Sequence, residues 1–466
     1  MTRTIETATN TIRASHTENF VNTSNPQSAA SSKRRGLCKA GGLPLVLLAV
    51  LAMLGSGGCL TELTVRRHST IPVSNSLASS ILGNFSSVIN TSDTPTDFAC
   101  AGDFGTIGDT TFMPAFYMRD GNVTTYAGVA NINSQANFNA VIGTPGYAKV
   151  VNTINWCGSL IPNVIGCAPV PGNSFTVVRF TANQEGILWA HEFGHTVGLS
   201  HRNGPTTVMN SSISTNQLEI NSSECIDFVS LAVNNPLNPK TGAAGAAAGA
   251  TEGGRVIVDG ELAHDINPKT SLMHFVRQIH PHGTPMRFAM SFAGSREIPE
   301  LVEMLRNPKD AQYWGNIAAV LGMIGDERHT ATLIEFIQEQ MKQVPKQDGV
   351  RPLTAALMGL GYQVNQTGDP DALDFLAAAS SSKFWGNFPQ ACGRGWTEKD
   401  DCPGQLATSA AIGLAVSGSS EAQAVLGDAY REALSVGDKD LAENLASYIE
   451  TNQEIAQIGL AAYYPN

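Results

Sequence analysis

The sequence is poor in charge and lacks a long apolar run. Asp, Glu, Lys and Arg make up only 15% of its 466 residues while hydrophobic residues reach 42%, too apolar and too weakly charged for a mainly disordered chain. Basic residues are in the minority, 29 Lys+Arg against 40 Asp+Glu for a net charge of -11. No global basic field exists to neutralise a phosphate backbone, so nucleic acid is excluded as a partner. The most apolar stretch, residues 43–54 (LPLVLLAVLAML), is too short for a membrane span: twelve residues of helix cover about 18 Å of the roughly 30 Å of hydrocarbon. What is present is length enough for about three units of roughly 150 residues.

Lys33, Arg34, Arg35 and Lys39 precede this apolar stretch, and Gly55-Ser56-Gly57-Gly58-Cys59 follows it. A basic start, a short apolar core and small residues are the pattern of a signal peptide, so the chain is expected to be exported. The small residues running into Cys59 resemble the lipobox of bacterial lipoproteins, in which the Cys thiol is acylated. That resemblance implies a lipid anchor at Cys59 and a cell-envelope lipoprotein. Ser56 stands where that family usually has Leu, and ordinary cleavage nearby, giving a secreted protein, is the alternative. Residues 1–32 are polar and rich in Ser, Thr and Asn, unusual ahead of a signal peptide, which points to a start codon further along.

Export makes disulfides permissible. Beyond Cys38 and Cys59 there are six cysteines. Cys157 and Cys167 enclose one short loop and Cys392 and Cys402 another, so local pairing is the simplest arrangement and leaves Cys100 with Cys225. Six cysteines allow 15 pairings, however, and free buried thiols are the plain alternative.

Residues 234–256 are filled by Gly, Ala, Asn and Pro and read as a linker. Residues 1–58 then form the N-terminal extension and signal peptide, 59–233 a first domain, and 257–466 a second. The first mixes Gly, Asn, Ser and Thr with short apolar runs such as AKVV (148–151) and FTVVRF (175–180), the punctuation of an α+β domain. The second is Ala/Leu-rich and helical, with Pro299 suited to a first helical turn and turns at Asn307-Pro308 and Gly325-Asp326. Similar text returns around Gly322, Gly359 and Gly413, which resembles a short run of HEAT-type repeats offering a protein-binding surface. An ordinary all-α domain is the alternative. Residues 257–292 read as a lead-in or capping segment.

The segment ILWAHEFGHTVGLSH (187–201) carries the chemistry. His191 and His195, four apart on a helix, project from one face and can reach a single ion. Gly198 can take φ > 0, end the helix and bring His201 round as a third nitrogen ligand. Three neutral imidazoles suit Zn²⁺ and leave a fourth position open, as catalytic zinc requires. Glu192, beside the first ligand, is placed for a general base. With 10 His and 45 Gly in the chain, chance produces this pattern in about 2 of 100,000 such sequences.

The motif HEFGHTVGLSH resembles the defining segment of the metzincin clan of zinc endopeptidases. The resemblance implies His191, His195 and His201 as zinc ligands, Glu192 as general base, and peptide-bond hydrolysis by a zinc-activated water acting on a protein or peptide substrate. Metzincins also carry a methionine in a tight turn below the metal, and Met209 in TTVMN has the matching spacing. By the same analogy residues 175–180 lie near the active-site helix, and part of 147–172 forms an edge strand that pairs with an extended substrate. The expected fold is an α+β metzincin-like catalytic domain, a mixed sheet plus active-site helix, followed by an all-α HEAT-like repeat domain. Arg202 departs from the residues that mark the astacin, serralysin, adamalysin and matrixin branches, leaving the branch open. No PRCGxPD-type cysteine switch is present, and FACAGDFG around Cys100 is no substitute for one.

Two further features weigh less. His280 and His282 flank Pro281, but exposed loop histidines are far commoner than ligands. Trp189 reads as helix packing. The rival to an enzyme is a non-catalytic surface scaffold in which the repeats bind protein and the zinc site is structural or relic.

Overall fold

The computed structural model describes residues 60–91, 100, 106–107, 110–111, 115–118, 121–180, 182–204, 206–215, 218–234, 270–343, 350–392 and 402–464. The signal segment, Cys59 and the Gly/Ala-rich stretch after Asn234 lie outside these residues.

The N-terminal region is a mixed α/β layer. Its main sheet has the order β11 (Gly166–Cys167), β12 (Phe175–Val178), β8 (Ala148–Val151), β2 (Val65–His68), β6 (Thr124–Tyr126). Four strands run parallel and β11 is antiparallel at the edge. All four residues of β8 and of β12 are buried, the continuous burial expected of parallel strands covered on both faces. A second sheet has the order β10 (Leu160–Val164), β9 (Thr153–Trp156), β7 (Asn131–Ile132). Two small pairs complete the strands: β1 (Leu60–Leu63) with β5 (Ala115–Met118), and β3 (Thr106–Ile107) with β4 (Thr110–Thr111).

Helix α1 (Asn75–Ile89) starts at Ser74, whose side chain accepts from Leu77 N, and buries Ala78, Ile81, Leu82, Phe85, Val88 and Ile89 at helical spacing. It crosses α3 (Ala182–Thr196) at Gly186, where a β-carbon would lie 2.6 Å from Asn84 Cβ. The short α2 (Gln135–Gly143) precedes β8, and α4 (Ser222–Asn234) closes the region. As expected from the sequence, β12 runs directly into α3, and Trp189 is buried in packing, its ring 6.0 Å from that of Phe175.

The C-terminal region is helical: α5 (Leu272–Val276), α6 (Met286–Met290), α7 (Ile298–Arg306), α8 (Trp314–Ile324), α9 (Glu327–Met341), α10 (Arg351–Thr367), α11 (Pro370–Ala379), α12 (Ser382–Gly386), α13 (Cys402–Ser417), α14 (Ser420–Val436), α15 (Lys439–Ile458) and α16 (Leu460–Tyr463). Helices α8, α10 and α13 form a central row and are buried almost all round, while α9, α11 and α14 bury one stripe each. The three glycines singled out in the sequence mark where this row touches: Gly322 packs on the backbone of Gly359, and Gly413 on Gly361 and on the Leu357 carbonyl.

The two regions are hydrogen-bonded to each other. Asn152 Nδ2 donates to Gln405 Oε1 (3.1 Å), Gln405 Nε2 to Thr153 Oγ1 (2.9 Å), Ser134 Oγ to Asn444 Oδ1 (2.8 Å) and Tyr464 OH to the Leu160 carbonyl. Disulfides join Cys100 to Cys225, Cys157 to Cys167 and Cys392 to Cys402, the arrangement that local pairing suggested. Among the described residues no helix is long and apolar enough to cross a membrane.

Candidate metal centre

The centre is built on α3. Glu185 in its first turn accepts from Phe180 N (2.7 Å) and Arg179 Nε (2.7 Å), fixing the passage from β12 into the helix. Two turns on, His191 and His195 face the same way, with Nε2 atoms 3.1 Å apart. The helix stops at Gly198, whose φ of 97° favours glycine. The reversal aims the Leu199 carbonyl back at His195, whose Nδ1–H donates to it at 2.8 Å. It also carries His201 in, leaving its Nε2 3.3 Å from that of His191.

The tautomers follow from the partners. A carbonyl can only accept, so His191 Nδ1, 2.8 Å from the Val208 carbonyl, and His195 Nδ1 must each carry the proton. Their Nε2 atoms then present bare lone pairs to one another at 3.1 Å, and with no proton on either nitrogen no hydrogen bond can form between them. Such convergence is favourable only around a shared cation. Ligands held at about 2.0–2.1 Å in tetrahedral geometry would have nitrogens about 3.3–3.4 Å apart, close to the separations found. Burial, helped by the neighbouring imidazoles, holds His191 and His201 well below the usual histidine range, so both stay in the neutral form that ligates.

A fourth imidazole joins them. His282 is buried, and the cluster His191, His195, His201, His282 offers ligand atoms that all lie within 4.8 Å of one another. The six ring-centroid separations run only from 4.7 to 5.3 Å, so the rings stand at nearly equal distances. Burial pushes His282 down to about 4. This corrects the sequence reading, which assigned His280 and His282 to an exposed loop; both are buried, because residues 279–284 are pressed against β10 and β11. The only sequence signal was the H-P-H triplet, which has no periodicity to tie it to α3.

Glu192 lies beside the cluster, fully buried, with Oε1 3.2 Å from His282 Nε2 and no hydrogen bond to either oxygen. Burial pushes its carboxyl up to about 8, partly opposed by His195. It fits only because β11 offers a glycine: a β-carbon on Gly166 would sit 2.6 Å from Glu192 Cδ. Met209 is buried beneath α3, its sulfur against Gly194, where any β-carbon would collide with it. The loop between His201 and Met209 is closed by Arg202 N donating to the Met209 carbonyl at 2.8 Å. Arg202 itself forms a two-pronged pair with Glu224, Nε to Oε1 at 2.6 Å and Nη2 to Oε2 at 2.8 Å. The His201 loop is thereby tied to α4.

The structure therefore gathers His191, His195 and His201 into one cluster with His282, with Glu192 beside it and Met209 beneath α3, while Cys59 lies outside the described residues. The buried imidazoles could hold one metal ion. No protein-family model matches the chain, and no curated protein matches it in sequence.

Proposed function

We propose that this chain is a zinc endopeptidase of the metzincin type. The observation that carries the reading is a fully buried carboxylate, Glu192, next in sequence to a helical histidine and 3.2 Å from His282, at the side of a converging imidazole cluster. A purely structural site has no use for such a group. Zinc bound there would polarise a peptide carbonyl and lower the pKa of water. Glu192, buried beside the ligands, would be the group that accepts a proton from the attacking water and returns it to the leaving amine. His191, His195 and His201 would be ligands, held in register by the Val208 and Leu199 carbonyls, with Met209 as a packed floor. Three disulfides suit an exported chain, anchored through a lipid on Cys59, whose helices act as HEAT-like repeats for protein binding.

A second reading has one observation of its own. Four imidazoles resemble a closed structural zinc site, which favours a non-catalytic scaffold. Incubating zinc-loaded chain with an unbiased peptide library, beside Glu192→Ala, separates the two. The peptidase reading expects cleavage that falls on the order of 10²–10⁴-fold in Glu192→Ala while zinc content stays unchanged. Cleavage equal in both proteins, or none from either wild type or a variant opened at His282, favours the scaffold.

A further inference from the structure

We propose that His282 is the fourth ligand of the metal centre, and that the strip carrying it, residues 279–284, fills the substrate cleft and keeps the site closed until displaced. The fourth-ligand claim stands on geometry alone; the claim of latency rests on the peptidase reading above.

The strip occupies two places that a peptidase must keep free. The first is the metal's fourth corner: catalytic zinc retains an open position, whereas here the ring of His282 stands 4.9–5.3 Å from the other three ring centres, with a ligand atom within 4.8 Å of theirs and its Nε2 3.2 Å from Glu192 Oε1. The second is the sheet edge. Edge strand β11 is where an extended peptide would add by backbone pairing. Instead Ile165 N and Gly166 N both donate to the Pro281 carbonyl, at 2.8 and 3.0 Å, and Val164 bridges His282 in antiparallel sense. On the opposite side Ile213 N donates to the Ile279 carbonyl at 2.6 Å. The strip thus lies across the gap between the edge strand and the segment after Met209, as a bound peptide would.

Its anchorage is on the helical region. Asn316 on α8, itself buried, donates to the carbonyls of Gln278 and Val276 and accepts from Thr284 Oγ1 (3.2 Å) and Asn163 Nδ2 (2.6 Å). Gly283 has φ 90° and comes so close to β10 that a β-carbon would lie 2.7 Å from the Pro162 carbonyl oxygen. A glycine turn and a buried amide therefore aim His282. The helices position the inhibitor as well as any partner, so a partner bound to them has a direct route to the centre.

The test loads the full chain with Co²⁺ and counts imidazole ligands by X-ray absorption and visible spectroscopy, with acetohydroxamate as probe of an open position. Expected is four imidazoles and no spectral response to acetohydroxamate in wild type. His282→Ala should lose one imidazole, and its spectrum should shift with the probe. Peptide cleavage should rise at least about tenfold in the variant. Asn316→Ala, which keeps every ligand, should give the same response to the probe in part of the population. Three imidazoles plus an oxygen donor in wild type overturns the proposal without any variant having to fold. An open His282→Ala site that still cuts nothing leaves the fourth ligand standing and sinks the peptidase reading instead, whereas a wild type that is open and cuts does the reverse.

Discussion

Which nitrogen of each imidazole carries a proton decides what the centre can bind, and two backbone carbonyls decide that for His191 and His195. These two, with Glu192 between them in sequence, were legible because helix geometry fixes their spacing, and His201 because Gly198 can take the positive φ that ends the helix and turns the chain back. Arg202, an oddity in the sequence, has a local reason in its pairing with Glu224. His282 was not legible: its approach depends on long-range pairing with Val164 and Ile213, which no local pattern encodes. A second buried charge went unnoticed for the same reason. Lys149, in the central strand β8, is buried and donates to the carbonyls of Ile142, in the last turn of α2, and Gly146, just after it, at 3.2 and 2.8 Å. Burial, aided by Arg66, lowers its ammonium from 10.5 to about 7. Because the folded value lies below the unfolded one, the unfolded chain binds more protons between those values, and stability should rise as pH climbs from about 7 toward 10. At about 1.4 kcal/mol per pKa unit the rise is roughly 3–5 kcal/mol at most. Denaturant titrations at pH 7 and 9.5 should show it in wild type and lose most of it in Lys149→Met; parallel curves would refute the assignment.

Among the elements, the central row of helices shows how far pattern reading reaches. Gly322, Gly359 and Gly413, which the sequence singles out, are positions where neighbouring helix backbones meet. Their spacing is irregular: the short α12 and the Cys392–Cys402 disulfide lie in the longer interval before α13. At Gly359 a β-carbon would lie 2.8 Å from the Ala318 carbonyl oxygen, so the helices would have to part. Gly359→Val should therefore destabilise the chain by roughly 1–3 kcal/mol through overpacking, read as a lower denaturant midpoint. A midpoint within error of wild type would mean the row is looser than drawn. The sheet was legible only in part: β8 and β12 lie in the runs AKVV and FTVVRF, whereas β11 is two residues long and carries no propensity signal.

For the whole molecule, the mixed α/β layer and the helical region were each apparent from composition, but their contact was not. Polar pairs such as Asn163 with Asn316 and Asn152 with Gln405 join them, and in sequence such residues look like ordinary surface amides. The consequence falls on the candidate metal centre, since the C-terminal region contributes His282 to a cluster whose other members come from α3 and its turn. The central claim is that these imidazoles share one ion. Zinc content after equilibration with micromolar free Zn²⁺ and gel filtration tests it most directly, comparing wild type with the double variant His191→Ala/His195→Ala. One zinc per wild-type chain and none in the double variant is the result predicted. A wild type that retains no zinc, or a double variant that retains as much, would contradict the account.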